Sequence, residues 1–233
     1  MLKKELLLQN PLRRMSIYNE NILPEGGFGV VLARAGVGKT ALLVQLALNA
    51  LLWNKNVLHV SLNDPVKKVS LWYQEVFHHL TKTIDVKKSN ELWESILPHR
   101  FIMTFKAEGF SVPKLEERLS DLKEQDIFSP QALFIDGLLF DEHQKKSLFD
   151  LKSFAKKHSL NVWFTAQTHR HEAPDPSGFP LQLQSVAELF DIVIQLQPEG
   201  KEIYLKVLKG ETENNHSPLL QLDPSTMLLK NHI

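Results

Sequence analysis

The stretch of the sequence with the clearest chemical meaning is Ala33-Arg34-Ala35-Gly36-Val37-Gly38-Lys39-Thr40, which stands between two apolar runs. Glycines let a backbone curl so that its N–H groups converge on phosphate oxygens, and a following helix adds the positive end of its dipole. In this pattern a lysine reaches the outer phosphates and a threonine hydroxyl binds Mg²⁺. The alternative, a chance Gly-Lys-Thr at a helix start, is disfavoured by the strand before it and the helix after it. The sequence therefore predicts a phosphate-binding P-loop, with Ala33 where the first glycine usually stands, formed by Ala35, Gly36, Val37, Gly38, Lys39, Thr40 and Ala41.

A second candidate is Asp136, which ends the apolar run at 132–135. Ligands of open α/β sheets gather at the carboxyl ends of the strands, where an acid can accept a hydrogen bond from Mg²⁺-bound water or from Thr40. The alternative is an aspartate that only caps the strand. Paired with the P-loop about a hundred residues upstream, Asp136 is predicted to form a Mg²⁺ site together with Thr40.

The elements that must position these residues alternate along the chain, with strand-like apolar runs separated by segments of helical spacing. This alternation predicts an α/β fold with a mostly parallel sheet and helices on both faces. The carboxyl-terminal part instead predicts antiparallel strands added at one sheet edge. The predicted helices are 2–8, 41–53, 66–80, 85–97, 112–122 and 144–158, and the predicted strands are 29–32, 57–62, 101–105, 132–136, 161–166, 191–196, 202–208, 219–222 and 227–229.

Length and composition limit the number of domains and the classes of partner and chemistry that the chain can have. The 233 residues suit one α/β domain, predicted as 25–233 after a lead-in segment at 1–24. Lys+Arg and Asp+Glu are 27 each, so no global basic field attracts nucleic acid or an anionic membrane. Without cysteine the chain has no disulfide, thiolate metal site or cysteine nucleophile, and we expect a cytoplasmic location. The longest apolar run contains Gln45 and Asn49 and is too short for a membrane span, so no membrane association is expected.

Five segments together resemble RecA-like ATPases. They read ARAGVGKT at 33–40, VSLNDP at 60–65, FIDGL at 134–138, FTAQTHR at 164–170 and AELFDIV at 187–193. They are most similar to the ATPase domain of DnaB-type replicative helicases, with KaiC-like proteins close behind, over roughly residues 27–222. The resemblance implies a three-layer RecA-like fold with ATP and Mg²⁺ as cofactors. It also implies a homo-oligomer or a partner ATPase subunit, and single-stranded nucleic acid at the loop 168–180.

The resemblance also implies roles for individual residues. Lys39 and Thr40 would bind phosphate and Mg²⁺, and Asp136 would be the Walker B acid. Gln167 would sense the γ-phosphate, although a polar side chain at a strand end also commonly satisfies backbone groups. Lys209 would be the cation offered to the nucleotide of a neighbouring subunit, although without an oligomer it would be an ordinary exposed lysine.

Two positions depart from the resembled pattern. The glutamate that activates the attacking water is replaced by Asn63, which cannot take a proton, and Asp64 is its neighbour rather than its equivalent. The arginine expected two residues beyond Lys209 is replaced by Glu211, which cannot stabilise phosphoryl charge. Three hypotheses follow: an ATPase acting on or beside DNA with weakened hydrolysis, a nucleotide-dependent switch or assembly platform, and a small-molecule kinase, for which no arginine-rich lid is evident. A base supplied by Glu75 or by a partner stays open.

Overall fold

The computed structural model describes residues 2–11, 22–106, 109–140, 145–168, 179–210 and 220–231. Strands β1–β9 are Phe28–Ala33, Val57–Ser61, Arg100–Thr104, Ala132–Asp136, Asn161–Gln167, Ile192–Glu199, Glu202–Lys209, Leu220–Leu222 and Leu229–Asn231. Helices α1–α7 are Leu2–Gln9, Lys39–Leu52, Val66–Leu80, Val86–Ile96, Val112–Glu124, Lys145–Lys157 and Leu181–Gln184.

The nine strands form one sheet in the order β3-β2-β4-β5-β1-β6-β7-β8-β9. The first six strands in that order are parallel, and the last three join them by antiparallel pairing. The predicted mostly parallel sheet with antiparallel strands near the carboxyl terminus is therefore confirmed. Strand β1, which leads into the P-loop, lies between β5 and β6 near the middle of the sheet.

Both faces of the sheet are covered by helices, as the alternation of elements predicts. Along β1, Val31 and Ala33 face the core formed with α2, α3 and α4, whereas Val30 and Leu32 face the core formed with α5 and α6. This alternation follows from the two-residue period of a strand. All six residues of β1 are buried, which explains why the run reads as continuously apolar.

The amino-terminal helix α1 packs on the same face as α2. Leu6 is buried, and the Asn10 side-chain amide donates to Asn49 Oδ1 at 2.9 Å. The predicted helix at 2–8 is thus present, one residue longer. No helix within the described ranges is long and apolar enough to cross a membrane.

The predicted last strand is misplaced by two residues. Residues 227–229 are predicted to be extended, but β9 begins at Leu229. Met227 has a φ of +56°, in the left-handed region, and its N–H donates to the carbonyl of Asp223 at 2.7 Å. A residue in that conformation belongs to a turn, because a β-strand requires negative φ.

A buried polar pair lies beneath the α2–α4 face of the sheet. His59 in β2 is fully buried, and its Nδ1 lies 3.1 Å from the hydroxyl of Tyr73 in α3. The guanidinium of Arg100 lies over the Tyr73 ring, 4.7 Å from its centroid. Burial lowers the pKa of His59 to about 4; the charge of Asp136 acts against this shift, and that of Arg100 adds to it. The imidazole is therefore neutral in the folded protein near neutral pH.

This burial makes stability depend on pH. Between pH 6.5 and pH 4 the unfolded chain protonates His59 while the folded protein does not, so this group lowers the free energy of unfolding by about 3 kcal/mol over that interval. We expect His59→Leu to lose this part of the pH dependence in urea unfolding, whereas His78→Gln, at an exposed position, keeps it. Equal pH dependence in His59→Leu and the wild type would contradict the assignment.

Candidate functional site

The P-loop joins the end of β1 to the start of α2. Gly36 and Gly38 have φ values of +75° and +104°, which L-residues with a side chain rarely adopt. Gly38 is the residue immediately before α2, so the loop delivers its backbone to a helix N-terminus. Residues 34–36 are exposed to solvent, as a loop that receives a ligand must be.

The amine of Lys39 folds back across this loop. Its Nζ donates to the carbonyl oxygen of Arg34 at 3.0 Å, and the side chain is half-buried. Burial lowers the pKa of the Lys39 amine, and the negative charge of Asp136 acts in the opposite direction. The lysine is thus held over the loop, with its charge near the carboxylate that ends β4.

A chain of three side chains connects α2 with β4 and β5. Thr40 Oγ1 donates to Asp136 Oδ2 at 2.8 Å, and Thr165 Oγ1 donates to Asp136 Oδ1 at 2.5 Å. The hydroxyl of Thr165 also accepts the N–H of Gly137 at 3.0 Å. Both carboxylate oxygens of Asp136 are therefore bound, one from the P-loop helix and one from the neighbouring strand.

These groups suit a hard divalent cation. Mg²⁺ binds hydroxyl, carboxylate and water oxygens, and usually takes only one or two protein ligands together with phosphate oxygens. Thr40 and Asp136 bring a hydroxyl and a carboxylate within 2.8 Å of each other beside the P-loop. The residues present thus fit a magnesium ion held with a nucleotide.

Asn63, which stands where the resembled helicases carry a glutamate, lies beside Gly137, the residue that follows Asp136. Asn63, just after β2, is exposed, and a Cβ on Gly137 would lie 2.9 Å from Asn63 Cγ and overlap its amide nitrogen. A side chain at 137 would therefore collide with Asn63, and Gly137 also has a φ of +91°, which other residues rarely adopt. Asp64 is engaged elsewhere, because its Oδ1 pairs with Lys68 Nζ at 2.9 Å in the first turn of α3.

Gln167 lies at the carboxyl end of β5, opposite Ala33 of the P-loop stretch in the β1–β5 register. Its side chain is exposed, and the next N–H, that of Thr168, donates to the Ala33 carbonyl at 3.0 Å. The sheet therefore brings Gln167 to the edge of the P-loop. Its role as a γ-phosphate sensor stays a prediction.

Lys209 lies at the end of β7, where its Nζ donates to the carbonyl of Ala187 in the same chain at 3.0 Å. The side chain is partly buried and faces its own chain. Its role toward a neighbouring nucleotide stays a prediction. Glu211 and residues 169–178 of the predicted nucleic-acid loop lie outside the described residues.

With this geometry in place, the sequence of residues 3–139 matches the family model described as an AAA domain. The chain belongs to this AAA domain family. The match covers β1, the P-loop, α2 and Asp136, so it includes both Thr40 and Asp136 and leaves out Thr165. Among proteins with curated descriptions, none matches the chain significantly.

The fold of this AAA domain also occurs in solved structures. One of them, titled as an ATPase domain, superposes with a TM-score of 0.68 at 17% identity, covering 95% of this chain and 89% of that one. In all, 475 chains of known structure match, so the fold alone does not select one biological role. The structural likeness confirms the predicted RecA-like fold, and the match to the AAA domain family model supports the predicted P-loop ATPase.

Sequence reasoning missed Thr165, whose hydroxyl binds Asp136. Within the β5 sequence it reads as one more buried strand residue, and nothing in its spacing marks it. The pairing of β5 with β4 places the Thr165 hydroxyl against Asp136 and Gly137. The available signal was a hydroxyl in the buried interior of the strand, between Phe164 and Ala166.

Replacing Thr165 tests how much its hydrogen bonds to Asp136 and Gly137 stabilise the protein. Thr165→Val keeps the side-chain shape but removes the hydroxyl and leaves the Gly137 N–H without its acceptor, so we expect a loss of about 1–3 kcal/mol in the free energy of unfolding. Thr165→Ser retains the hydroxyl and serves as the matched control in urea unfolding. Equal losses in the two variants would show that the methyl group matters rather than the hydrogen bonds.

Proposed function

We propose that this AAA domain binds Mg·ATP at the P-loop and hydrolyses it slowly, acting on or beside DNA as part of an oligomer. The observation that carries the proposal is the 2.8 Å hydrogen bond between Thr40 and Asp136 at the start of the P-loop helix. A hydroxyl and a carboxylate joined there, beside a glycine-rich loop, are the protein groups that hold a nucleotide-bound magnesium ion.

Each site residue has a proposed role. The backbone of residues 35–41 cradles the phosphates, and Lys39 leaves the Arg34 carbonyl to bind the outer phosphates. Thr40 and Asp136 would hold the magnesium ion, and a bound magnesium ion would supply positive charge that neutralises the phosphates. Gln167, exposed beside Ala33, would contact the terminal phosphate.

Weakened hydrolysis follows from the residues beside the site. An asparagine amide cannot accept the proton of an attacking water, and Asn63 occupies the position next to Gly137 where a base is expected. The nearest carboxylate in sequence, Asp64, pairs with Lys68 instead. Glu75 lies further along α3, about three helical turns beyond Asp64, with its side chain exposed to solvent. These features favour a second candidate function, a switch that binds ATP and hydrolyses it very slowly or not at all.

The DNA-associated part of the proposal rests on the resemblance of the five sequence segments to DnaB-type replicative helicases. The net charge of zero supplies no general attraction to nucleic acid. Contact with DNA would therefore have to come from the loop 168–180 and from several subunits together.

Nucleotide binding is the first prediction. We expect wild-type protein to bind Mg·ATP in isothermal titration calorimetry and Lys39→Ala to bind about 10–100-fold more weakly, because a charged hydrogen-bond donor to phosphate is lost. Lys152→Ala removes a lysine that pairs with Asp191 away from the P-loop, and is the matched control for lost positive charge. Unchanged affinity in Lys39→Ala would show that the P-loop assignment is wrong.

Steady-state ATP hydrolysis separates the two candidate functions. With Lys39→Ala as the blank, a rate above the blank that rises with single-stranded DNA supports the DNA-linked ATPase. A rate equal to the blank despite ATP binding supports the switch.

The missing base gives a gain-of-function prediction. If Asn63 limits hydrolysis, Asn63→Glu should raise kcat by about tenfold or more, because a positioned general base contributes at least that much to such reactions. Asn63→Gln has the same length without a proton acceptor and is the control. Rates that are equal in the two variants would show that the absence of a base at this position does not limit the reaction.

A further inference from the structure

The P-loop helix α2 contains a buried amide that binds a distant part of the chain. Gln45, five residues beyond Thr40, is only 7% exposed. Its Nε2 donates to the carbonyl of Met227 at 2.7 Å, and its Oε1 accepts the N–H of Leu229 at 2.9 Å. One end of the amide thus binds the turn between β8 and β9 and the other binds the first residue of β9, and this pairing offsets the cost of burying the amide.

The turn that Gln45 binds is closed by its own hydrogen bonds. The Met227 N–H donates to the Asp223 carbonyl at 2.7 Å, and the Asp223 N–H donates to the Leu228 carbonyl at 2.8 Å. Met227 has a φ of +56°. The turn therefore has one defined shape, and Gln45 fixes where that shape lies relative to α2.

The same hairpin reaches the P-loop itself. Leu222, the last residue of β8, is fully buried, and a Cβ built on Gly38 would lie 2.6 Å from Leu222 Cδ2 and 3.4 Å from Met227 Sδ. The side chains of Leu222 and Met227 therefore pack against Gly38, the residue before α2. Gly38 has a φ of +104°, so the backbone that these side chains support is in a conformation rare for other residues.

We propose that the β8–β9 hairpin, residues 220–231, braces the P-loop and that Gln45 is the positioning residue that holds this brace in place. The inference rests on the proposed nucleotide binding and assigns a role to residues about 180 positions further along the chain. A loop that is already held in its binding conformation loses less entropy when phosphate binds. Releasing the hairpin should therefore weaken Mg·ATP binding without removing any group that touches the nucleotide.

The test compares two amides on one helix. Gln45→Leu removes both hydrogen bonds to the hairpin. Asn49→Leu, one turn further from the P-loop, removes a buried amide that is 4% exposed and bonded to Asn10 instead. We expect the Kd for Mg·ATP to rise about tenfold in Gln45→Leu, a change that corresponds to the free energy of about one hydrogen bond. In Asn49→Leu we expect the Kd to stay within about twofold of the wild-type value. Calorimetry is done well below the Tm of each variant, and both Tm values are recorded.

A second variant tests the brace independently of Gln45, in case Gln45→Leu does not fold. Leu222→Ala removes the side chain that contacts Gly38 and leaves Gln45 intact, and it should raise the Kd in the same direction. Wild-type affinity in folded Gln45→Leu or Leu222→Ala, or an equal loss in Asn49→Leu, would overturn the brace. Wild-type protein that binds no Mg·ATP would overturn the proposed function and this inference with it, so the two failures are distinguishable.

Discussion

The hydrogen bond between Thr40 and Asp136 is the contact on which the site depends. It spans three neighbouring strands, because α2 follows β1, Asp136 ends β4, and β5 lies between them. The bond forms only if the three carboxyl ends lie at one level, which the parallel register of β1, β4 and β5 provides. Thr165 on the intervening strand binds the other oxygen of Asp136, so the strand between the two partners contributes to the site.

The P-loop helix is held at two places along its length. Near its start Thr40 binds the carboxylate that ends β4, and further along Gln45 binds the carboxyl-terminal hairpin. Eleven of its fourteen residues are buried, so a displacement of α2 would disturb both contacts and the surrounding core. Close packing of this kind transmits small shifts rather than absorbing them. The P-loop helix is thereby joined to strands far from it in the sequence.

The groups proposed for hydrolysis are fewer than the groups proposed for phosphate binding. The lysine, threonine and aspartate are present in one place, while the position next to Gly137 carries Asn63 and the neighbouring carboxylate pairs with Lys68. Fold and catalytic power are separate properties, since a single side chain can be absent while the scaffold that positions it is kept. This separation is why family membership alone does not give the rate of hydrolysis.

The sequence by itself determined the α/β fold, the P-loop and Asp136, because these depend on local patterns: two- and 3.6-residue periodicity, glycines before a helix, and an acid at the end of an apolar run. It misplaced the last strand, since the left-handed conformation of Met227 is set by a turn that Gln45 holds from another part of the chain. Only the tertiary structure shows that Thr165 binds Asp136, that Gln45 binds the β8–β9 hairpin and that Leu222 contacts Gly38. Their partners lie 28 to 184 residues away in the sequence, and no local pattern encodes which strand or helix a side chain will meet.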